Sequence, residues 1–69
     1  MHRVAVESTT ISTVGHNADT SVLEISFRNG SGYRYFLVPA SVYEALRRAS
    51  SKGVFFNSFI RGRYAFTKL

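Results

Sequence analysis

The chain has 69 residues, of which 45% are hydrophobic, and it carries a formal net charge of +5. A chain of this length supports one hydrophobic core, and a composition this apolar is typical of a folded domain rather than a disordered tail. Because there is no cysteine, disulfide bonds, thiolate metal sites and a thiol nucleophile are excluded. No run approaches the roughly 20 apolar residues of a membrane span, and the N-terminus lacks the apolar run of a signal peptide, so we expect a cytoplasmic protein.

The positive charge is concentrated in the second half of the sequence. Residues 1–33 have a net charge of −1, whereas residues 34–69 have seven cationic side chains against the single carboxylate of Glu44, which gives +6. Such asymmetry is typical of proteins that bind a polyanion, most often nucleic acid, although it can also serve solubility alone. The candidate phosphate-binding residues are Arg34, Arg47, Arg48, Lys52, Arg61, Arg63 and Lys68.

A first β-hairpin is predicted between residues 11 and 28. Residues 11–16 are mostly β-branched, and residues 17–21 are turn formers. The strand that follows alternates, with Leu23, Ile25 and Phe27 on one face and polar residues on the other. This alternation predicts a strand with one face buried.

A second hairpin is predicted around the glycine-rich loop at residues 30–32, which leads into the aromatic and β-branched residues 33–38. If Gly32 supplies the left-handed conformation of a three-residue loop, Phe27 pairs with Tyr35. The buried face of the new strand would then hold Tyr33, Tyr35 and Leu37, and the opposite face would hold Arg34, Phe36 and Val38.

The central Tyr33-Arg34-Tyr35 segment has two interpretations. Tyrosines on a sheet can stack on unpaired bases while a guanidinium contacts phosphate. In the predicted register, however, both tyrosines are core residues whose hydroxyls reach the rim. Arg34 and Phe36 are then the better candidates for a binding surface.

A first helix is predicted after Pro39, which suits an initial helical turn, and Ser41 with Glu44 matches a capping box. Gly53 can end this helix, and cations near its C-terminus match the helix dipole, which is an alternative explanation for their charge. The inward stripe would consist of Val42, Ala45, Leu46 and Ala49, and the cations are Arg47, Arg48 and Lys52.

A second helix is predicted by apolar residues at three- and four-residue spacing, with Gly62 at its end. These residues are Phe55, Phe56, Phe59 and Ile60. The tail, residues 63–69, alternates in a way compatible with a final strand beside the N-terminal segment. The predicted fold is α+β, with a small antiparallel sheet of three or four strands and one face packed by two short helices.

Segments spread along the chain have a characteristic order and spacing: residues 6–9, 11, 14–15, 23–27, 33–35, 38–39, 42–43, 46, 51–53, 56–57 and 60–61. Together they resemble the KTSC domain, which occurs at the C-terminus of some lysyl-tRNA synthetases and also as a solitary short protein. The resemblance covers nearly the whole chain, so residues 1–69 are interpreted as one KTSC-like domain. It departs at His16-Asn17, where a Tyr-Asp pair is common, and at Val54 and Phe55. The resemblance implies a role in RNA binding, which has been suggested for the family.

The inventory of catalytic groups is poor. His2 and His16 lie fourteen positions apart, and the four carboxylates are scattered without a recognisable nucleophile and base. Two separated histidines without cysteine do not form a credible metal site either. We therefore expect a binding module rather than an enzyme, with no metal and no cofactor.

Two functional hypotheses remain. In the first, the cations of the second half bind the phosphates of RNA or another nucleic acid, with Arg61 and Arg63 as a phosphate clamp or simply a solvated pair. In the second, exposed Phe36 and Val38, or an unpaired sheet edge, recruit a protein partner or a second copy. Asn57 fits either a structural cap or a ligand contact. Added salt weakens phosphate binding steeply but not apolar association, which separates the hypotheses.

Overall fold

The computed structural model describes residues 3–69. Five strands form one antiparallel sheet in chain order, and two helices lie against one face of it. The α+β class is confirmed, but the sheet has five strands rather than three or four. The strand that the sequence prediction missed, at residues 3–5, is too short for an alternating pattern to show. The elements are β1 (Arg3–Ala5), β2 (Ile11–Asn17), β3 (Val22–Phe27), β4 (Gly32–Tyr35), α1 (Ala40–Arg48), α2 (Lys52–Phe59) and β5 (Phe66–Lys68).

The hairpin of β2 and β3 forms as predicted. Val14 lies opposite Ile25, so both side chains point to the helical face, and both are fully buried. Asn17 closes the turn, because its side-chain oxygen accepts hydrogen bonds from the backbone N–H of Asp19 at 2.9 Å and of Thr20 at 3.4 Å. This is the local chemistry that makes asparagine a turn former.

The turn between β3 and β4 lies two residues earlier than the sequence prediction placed it. Phe27 N–H donates to Ser31 O at 2.8 Å and Gly30 N–H to Phe27 O at 3.0 Å, so residues 28–30 form the loop. Gly30, with φ of 92°, supplies the left-handed conformation assigned to Gly32. Tyr35 therefore pairs with Leu23, and the predicted pairing with Phe27 is wrong.

The error is an even number of residues along β3, so the predicted facing of both tyrosines is confirmed. Tyr33 lies opposite Ile25 and Tyr35 opposite Leu23, on the face that the helices cover. Arg34 lies on the other face, opposite Glu24.

The chain bends sharply after β4, and the predicted facing of two residues fails there. Leu37 adopts φ of 58°, a conformation uncommon for a residue with a branched side chain, and its side chain is 79% exposed. Val38 turns into the core and is fully buried, while its N–H donates to Ser21 O at 2.8 Å. Alternation ends with the strand at Tyr35, so extending it through Val38 assigned both residues to the wrong face.

Helix α1 begins after Pro39, whose carbonyl accepts from the N–H groups of Val42 at 3.0 Å and Tyr43 at 3.3 Å. No side chain caps this end, so the predicted capping box at Ser41 is wrong. Leu46 is fully buried on the inward face, as predicted, but Ala45 is exposed.

Helix α2 begins earlier than predicted. Ser51 is its N-cap and accepts from Val54 N–H at 3.3 Å, so Gly53 lies inside the first turn of α2 rather than at the end of α1. A Cβ added to Gly53 would lie 3.2 Å from Thr10 Oγ1, tighter than most such contacts. Gly53 is thus constrained by the close approach of Thr10 in the β1–β2 connection, not by helix termination.

The second helix buries fewer residues than its spacing suggested. Phe56 and Ile60 are buried, but Phe59 is 54% exposed and contacts Phe55 at a ring-centroid distance of 4.9 Å. Phe59 is the last residue of α2, and the chain turns at Ile60 so that this side chain enters the core in its place. Gly62 follows with φ of 77°, consistent with the predicted end of the helical segment.

The C-terminal strand is present but pairs with β4, not with the N-terminal segment. Tyr35 lies opposite Phe66 and Tyr33 opposite Lys68. β1 occupies the other edge of the sheet, next to β2. Because neither strand carries a long pattern, the sequence could not determine which edge each would take.

One core lies between the sheet and the helices. Within residues 3–69, no helix has the length and apolar character needed to cross a membrane. The buried apolar residues are Ile11, Val14, Leu23, Ile25, Tyr35, Val38, Leu46, Phe56 and Ile60.

Leu46→Ala should lower the free energy of unfolding by about 2–5 kcal/mol, because it leaves a cavity where α1 packs on the sheet. Chemical denaturation measures this loss. Leu37→Ala is the matched control, since Leu37 is 79% exposed, and it should change stability by less than about 0.5 kcal/mol. Equal effects of the two substitutions would contradict the packing of α1 described above.

Candidate functional site

An open groove of about 590 Å³ runs between the last strands of the sheet and α2. Its polar rim includes Asn29, Ser31, Asn57 and Arg61. Five of its eleven lining residues are aromatic. The aromatic lining consists of Phe27, Tyr33, Tyr35, Phe56 and Phe66, and we call this feature the aromatic groove.

Sheet register and one helical side chain bring these rings together. Phe66 contacts Tyr33 and Tyr35, each at a centroid distance of 5.7 Å. Phe56 of α2 stands edge-on against Phe27 at 5.2 Å and Tyr35 at 5.7 Å. These separations and mostly tilted or edge-to-face angles are the favoured geometry of aromatic pairs.

Burial falls along the groove from the core to the sheet edge. Tyr35 is 4% exposed and Phe56 is 6% exposed, so these rings belong to the hydrophobic core. Tyr33 is half-buried, and Phe66 on the edge strand is 56% exposed. The groove therefore offers solvent the faces or edges of rings that are held in place from behind.

Arg61 brings a positive charge to this groove. It follows buried Ile60, and its N–H donates to Phe56 O at 2.9 Å, which fixes its backbone at the end of α2. Burial raises the pKa of Tyr35, and Tyr33 raises it further, while the Arg61 guanidinium partly offsets both. Tyr35 therefore stays protonated near neutral pH, beside a cation.

Lys68 lies on the same face as the groove but on the edge strand. It is directly opposite Tyr33 and two residues from Phe66, and it is exposed. Side chains two apart on a strand share a face. Arg61 and Lys68 thus approach the aromatic lining from the α2 side and from the β5 side.

Arg34 lies on the opposite face of the sheet and is held there by a carboxylate. Its Nε donates to Glu24 Oε2 at 2.8 Å, and Arg3 hydrogen-bonds to the other oxygen of Glu24. Arg3 also donates to Ser26 Oγ at 2.6 Å. The structure therefore separates Arg34 from the other predicted phosphate-binding residues.

Glu24 is a buried carboxylate on the face without helices. Burial alone would raise its pKa, but the hydrogen bonds and charges of Arg3 and Arg34 outweigh burial and hold the pKa below its usual value. With 8% exposure, Glu24 is covered mainly by the two arginines that neutralise it.

Three predicted cations gather where α1 meets α2. Arg47 and Arg48 form the last turn of α1, and Lys52 Nζ donates to Ala49 O at 2.9 Å beside it. Arg47 lies 3.8 Å from Glu44, and its guanidinium carbon is 5.6 Å from the Tyr43 ring centroid. This group lies at the start of α2, whereas Arg61 follows its end.

The remaining predicted residues lie around the groove or at the bend after β4. Arg63 Nε donates to Ser58 O at 3.1 Å, which keeps it against α2. Asn57 is exposed on the groove rim. Phe36 is 37% exposed, and its N–H donates to Ala65 O at 2.9 Å, so it lies beside the chain entering β5.

A second, polar groove of about 440 Å³ adjoins the first at Asn57. Hydroxyl groups from residues 8–10 and 50–51 line it, together with Lys52. Three of the segments that carry the resemblance, residues 6–9, 51–53 and 56–57, contribute to this one surface although they are far apart in the sequence.

The histidines have no catalytic arrangement in the part of the chain that the structure describes. His16 Nε2 lies 2.7 Å from Val38 O, and its ring stacks on Tyr43 at 5.2 Å. His2 lies outside the described residues. Among residues 3–69, no group of three or more His, Asp or Glu side chains is placed to hold a metal ion.

Sequence reasoning missed the aromatic lining. Tyr33 was assigned to the core, and Phe27 and Phe56 were treated as packing residues only. Phe66 was not predicted as a site residue, because its place in the groove depends on the pairing of β5 with β4. The available signal was the aromatic content of the tail, since Tyr64 and Phe66 alternate as the tyrosines of β4 do.

Comparison with known proteins agrees with this fold. Residues 7–64 match the family model of the KTSC domain, which is most of the chain. The chain belongs to the KTSC domain family. The crystal structure of a KTSC domain protein from Yersinia pestis superimposes with a TM-score of 0.94 at 36% identity, covering 99% of this chain and 96% of that one.

Relatives of the KTSC domain occur in two contexts. The chain is 44% identical over 63 residues to a lysine–tRNA ligase of Nostoc punctiforme, where the match covers 91% of this chain but 11% of the ligase. It is 36% identical over 64 residues to an uncharacterized protein of Stutzerimonas stutzeri, of which it covers 90%. The chain thus spans about a tenth of the ligase and nearly all of the short relative.

Glu24→Gln should lower the free energy of unfolding at pH 7 by about 1–3 kcal/mol, because charge-assisted hydrogen bonds to two arginines are lost. The pKa of Glu24 is lower in the folded protein than its ordinary value of 4.5, so ionised Glu24 stabilises the fold above that pH. This stabilisation should be lost as pH falls below 4.5 through the lowered pKa. Denaturation across pH 2–7 measures it.

Glu44→Gln is the control for this pH dependence, since Glu44 is 51% exposed and lies 3.8 Å from its arginine. It should leave the acid limb of the stability curve close to that of the wild type. If Glu24→Gln kept the wild-type acid limb as well, the two arginines would not stabilise the carboxylate.

Proposed function

We propose that this KTSC domain binds RNA through the phosphates, using cations of its helices and C-terminal segment. The supporting observation is the distribution of ion pairs between the two faces of the sheet. On the open face, Arg3 and Arg34 are both paired with Glu24. On the helical side, five predicted cations have no carboxylate within 4.0 Å among residues 3–69: Arg48, Lys52, Arg61, Arg63 and Lys68.

Five cations without a carboxylate partner on the helical side of a small domain favour a polyanionic ligand, whereas Arg28, the other such cation among residues 3–69, donates to Ser8 O. Phosphate contacts provide most of the affinity of such binding, and they position the ligand without reading its sequence. Two of the cations are held in place by the protein backbone, since Lys52 donates to Ala49 O and Arg63 to Ser58 O. Holding a side chain in advance reduces the entropy lost on binding.

The relatives support RNA as the polyanion. A region similar to this chain occurs within an enzyme named for its action on a tRNA, the lysine–tRNA ligase of Nostoc punctiforme. A domain that holds phosphates without base specificity would increase the local concentration of RNA near such an enzyme. In a short protein, the same surface would act alone.

A second candidate function is protein interaction or self-assembly, and exposed apolar side chains favour it. Leu37 is 79% exposed, Phe36 beside it is 37% exposed, and Val54 on α2 is 64% exposed. β5 is also an edge strand with a free side. A concentration-dependent mass in solution, insensitive to salt, would identify this function.

Replacing Arg61 and Arg63 together by Gln should weaken RNA binding across unrelated sequences. The slope of log affinity against log salt should fall by about one for each lost phosphate contact. Fluorescence anisotropy with labelled hairpin and single-stranded RNA, at low and moderate salt, measures both quantities.

Arg34→Gln is the control variant, because it removes a cation from the open face while Arg3 still pairs with Glu24. Its salt slope should match that of the wild type. Absence of RNA binding at low salt by the folded wild-type protein would exclude the proposed function and leave protein interaction as the alternative.

A further inference from the structure

The aromatic groove has features that phosphate binding does not use. Backbone phosphates need cations, but they gain nothing from aromatic rings. Yet Tyr33 and Phe66 present ring surface to solvent at the edge of the sheet, with Phe66 56% exposed. Exposed aromatic rings on a sheet are the usual platform on which unpaired bases stack.

The groove has the size of a small-molecule site. Its volume of about 590 Å³ lies within the range of roughly 300–1,000 Å³ that is typical of such sites. Phe56, Phe27 and Tyr35 are packed behind the exposed rings, which fixes the platform before any ligand arrives. A flat ring can therefore enter without repacking the core.

The charges at the groove match a nucleotide rather than a neutral ring. Arg61 lines the groove, and Lys68 lies opposite Tyr33 on the same face of the sheet. Arg61 follows α2 and Lys68 belongs to β5, so a phosphate on the α2 side or on the β5 side of a stacked base would meet a positive charge. Among residues 3–69, no carboxylate lines the groove to repel it.

The rim carries groups suited to the edge of a base. Asn57 is exposed there. Asn29 Oδ1 accepts hydrogen bonds from the Ser31 N–H at 3.0 Å and the Ser31 hydroxyl at 2.6 Å, which orients its amide. Side-chain amides both donate and accept hydrogen bonds, as the exposed edges of unpaired bases require.

We propose that the aromatic groove binds one unpaired nucleotide of an RNA, with its base stacked on Tyr33 and Phe66 and its flanking phosphates at Arg61 and Lys68. This inference rests on the proposed function, and it adds a preference for loops and single strands over duplex RNA. Bases in a duplex are already stacked and cannot enter the groove.

The first test is an NMR titration of the full 69-residue protein with adenosine 5′-monophosphate. The base should shift the aromatic resonances of Tyr33 and Phe66, because a stacked ring changes their magnetic environment. Ribose 5-phosphate, which has the phosphate and sugar without the base, should leave those resonances in place at the same concentration. Equal shifts with both compounds would overturn the proposal.

Phe66→Leu keeps an apolar side chain but removes the stacking ring, and it should weaken binding of adenosine 5′-monophosphate about tenfold. Phe59→Leu is the matched control, since Phe59 is 54% exposed but does not line the groove. Its affinity should equal that of the wild type. Unchanged affinity in Phe66→Leu, or equal losses in both variants, would contradict base stacking.

A second titration, with N-acetyltyrosinamide, tests whether the groove instead takes an aromatic side chain of a protein. Tighter binding of this compound than of adenosine 5′-monophosphate would overturn the proposal in favour of a protein partner. Weaker binding would support it.

The last test uses an RNA hairpin with an unpaired loop and a duplex of equal charge. The wild type should prefer the hairpin, and Phe66→Leu should lose that preference while keeping the wild-type salt slope. If the protein binds RNA but the wild type and Phe66→Leu have the same preference for the hairpin, nucleotide binding in the aromatic groove is excluded and the proposed function is not. If the protein binds adenosine 5′-monophosphate but no RNA, the proposed function is excluded and nucleotide binding in the groove is not.

Discussion

The packing of Phe56 against the sheet holds α2 in place. Phe56 is the one residue of α2 that is buried, and its ring stands edge-on against Phe27 and Tyr35. Its carbonyl also accepts the N–H groups of Ile60 at 3.0 Å and Arg61 at 2.9 Å, which ends the helix. Phe56 thus determines the position of α2, the residue at which α2 ends and the position of the Arg61 backbone.

The same contact makes the core and the aromatic groove parts of one cluster. The rings behind the groove are among the buried residues that support the fold, so replacing them would change stability and binding together. The residues at the margin of the aromatic groove do not belong to the core. Phe66, Lys68 and Asn57 are exposed, and their replacement can test binding without removing the core.

Much of the fold could be predicted because β3 alternates clearly and because the helical segments carry apolar stripes. The facing of Tyr33 and Tyr35 was correct despite a wrong register, since an even shift preserves the face of a strand. The errors fall where backbone conformation departs from a repeating pattern. The positive φ of Leu37 exchanged the expected positions of Leu37 and Val38, and no periodicity signals such a bend.

The site was less predictable, because it depends on contacts between distant segments. Seven of the nine cations lie in the second half of the sequence, but charge alone could not show that Glu24 would pair with Arg34 from the neighbouring strand. Phe66 gained its place from the pairing of β5 with β4, which links residues about thirty positions apart. Local patterns carry no information about that pairing.

The order of the strands in the sheet bears on how this protein folds and opens. Strands β1 to β4 are joined by short connections, so their pairing needs little loop closure and should be fast, whereas β5 must return across both helices. No residue of β5 is buried, so its detachment would remove no side chain from the core. We therefore expect amide hydrogens of β5 to exchange through local opening, well before those of β3. Because Phe66 and Lys68 leave with the strand, the aromatic groove would exist only in the fraction of molecules in which the C-terminal edge is closed, and a ligand seated there would protect those amides.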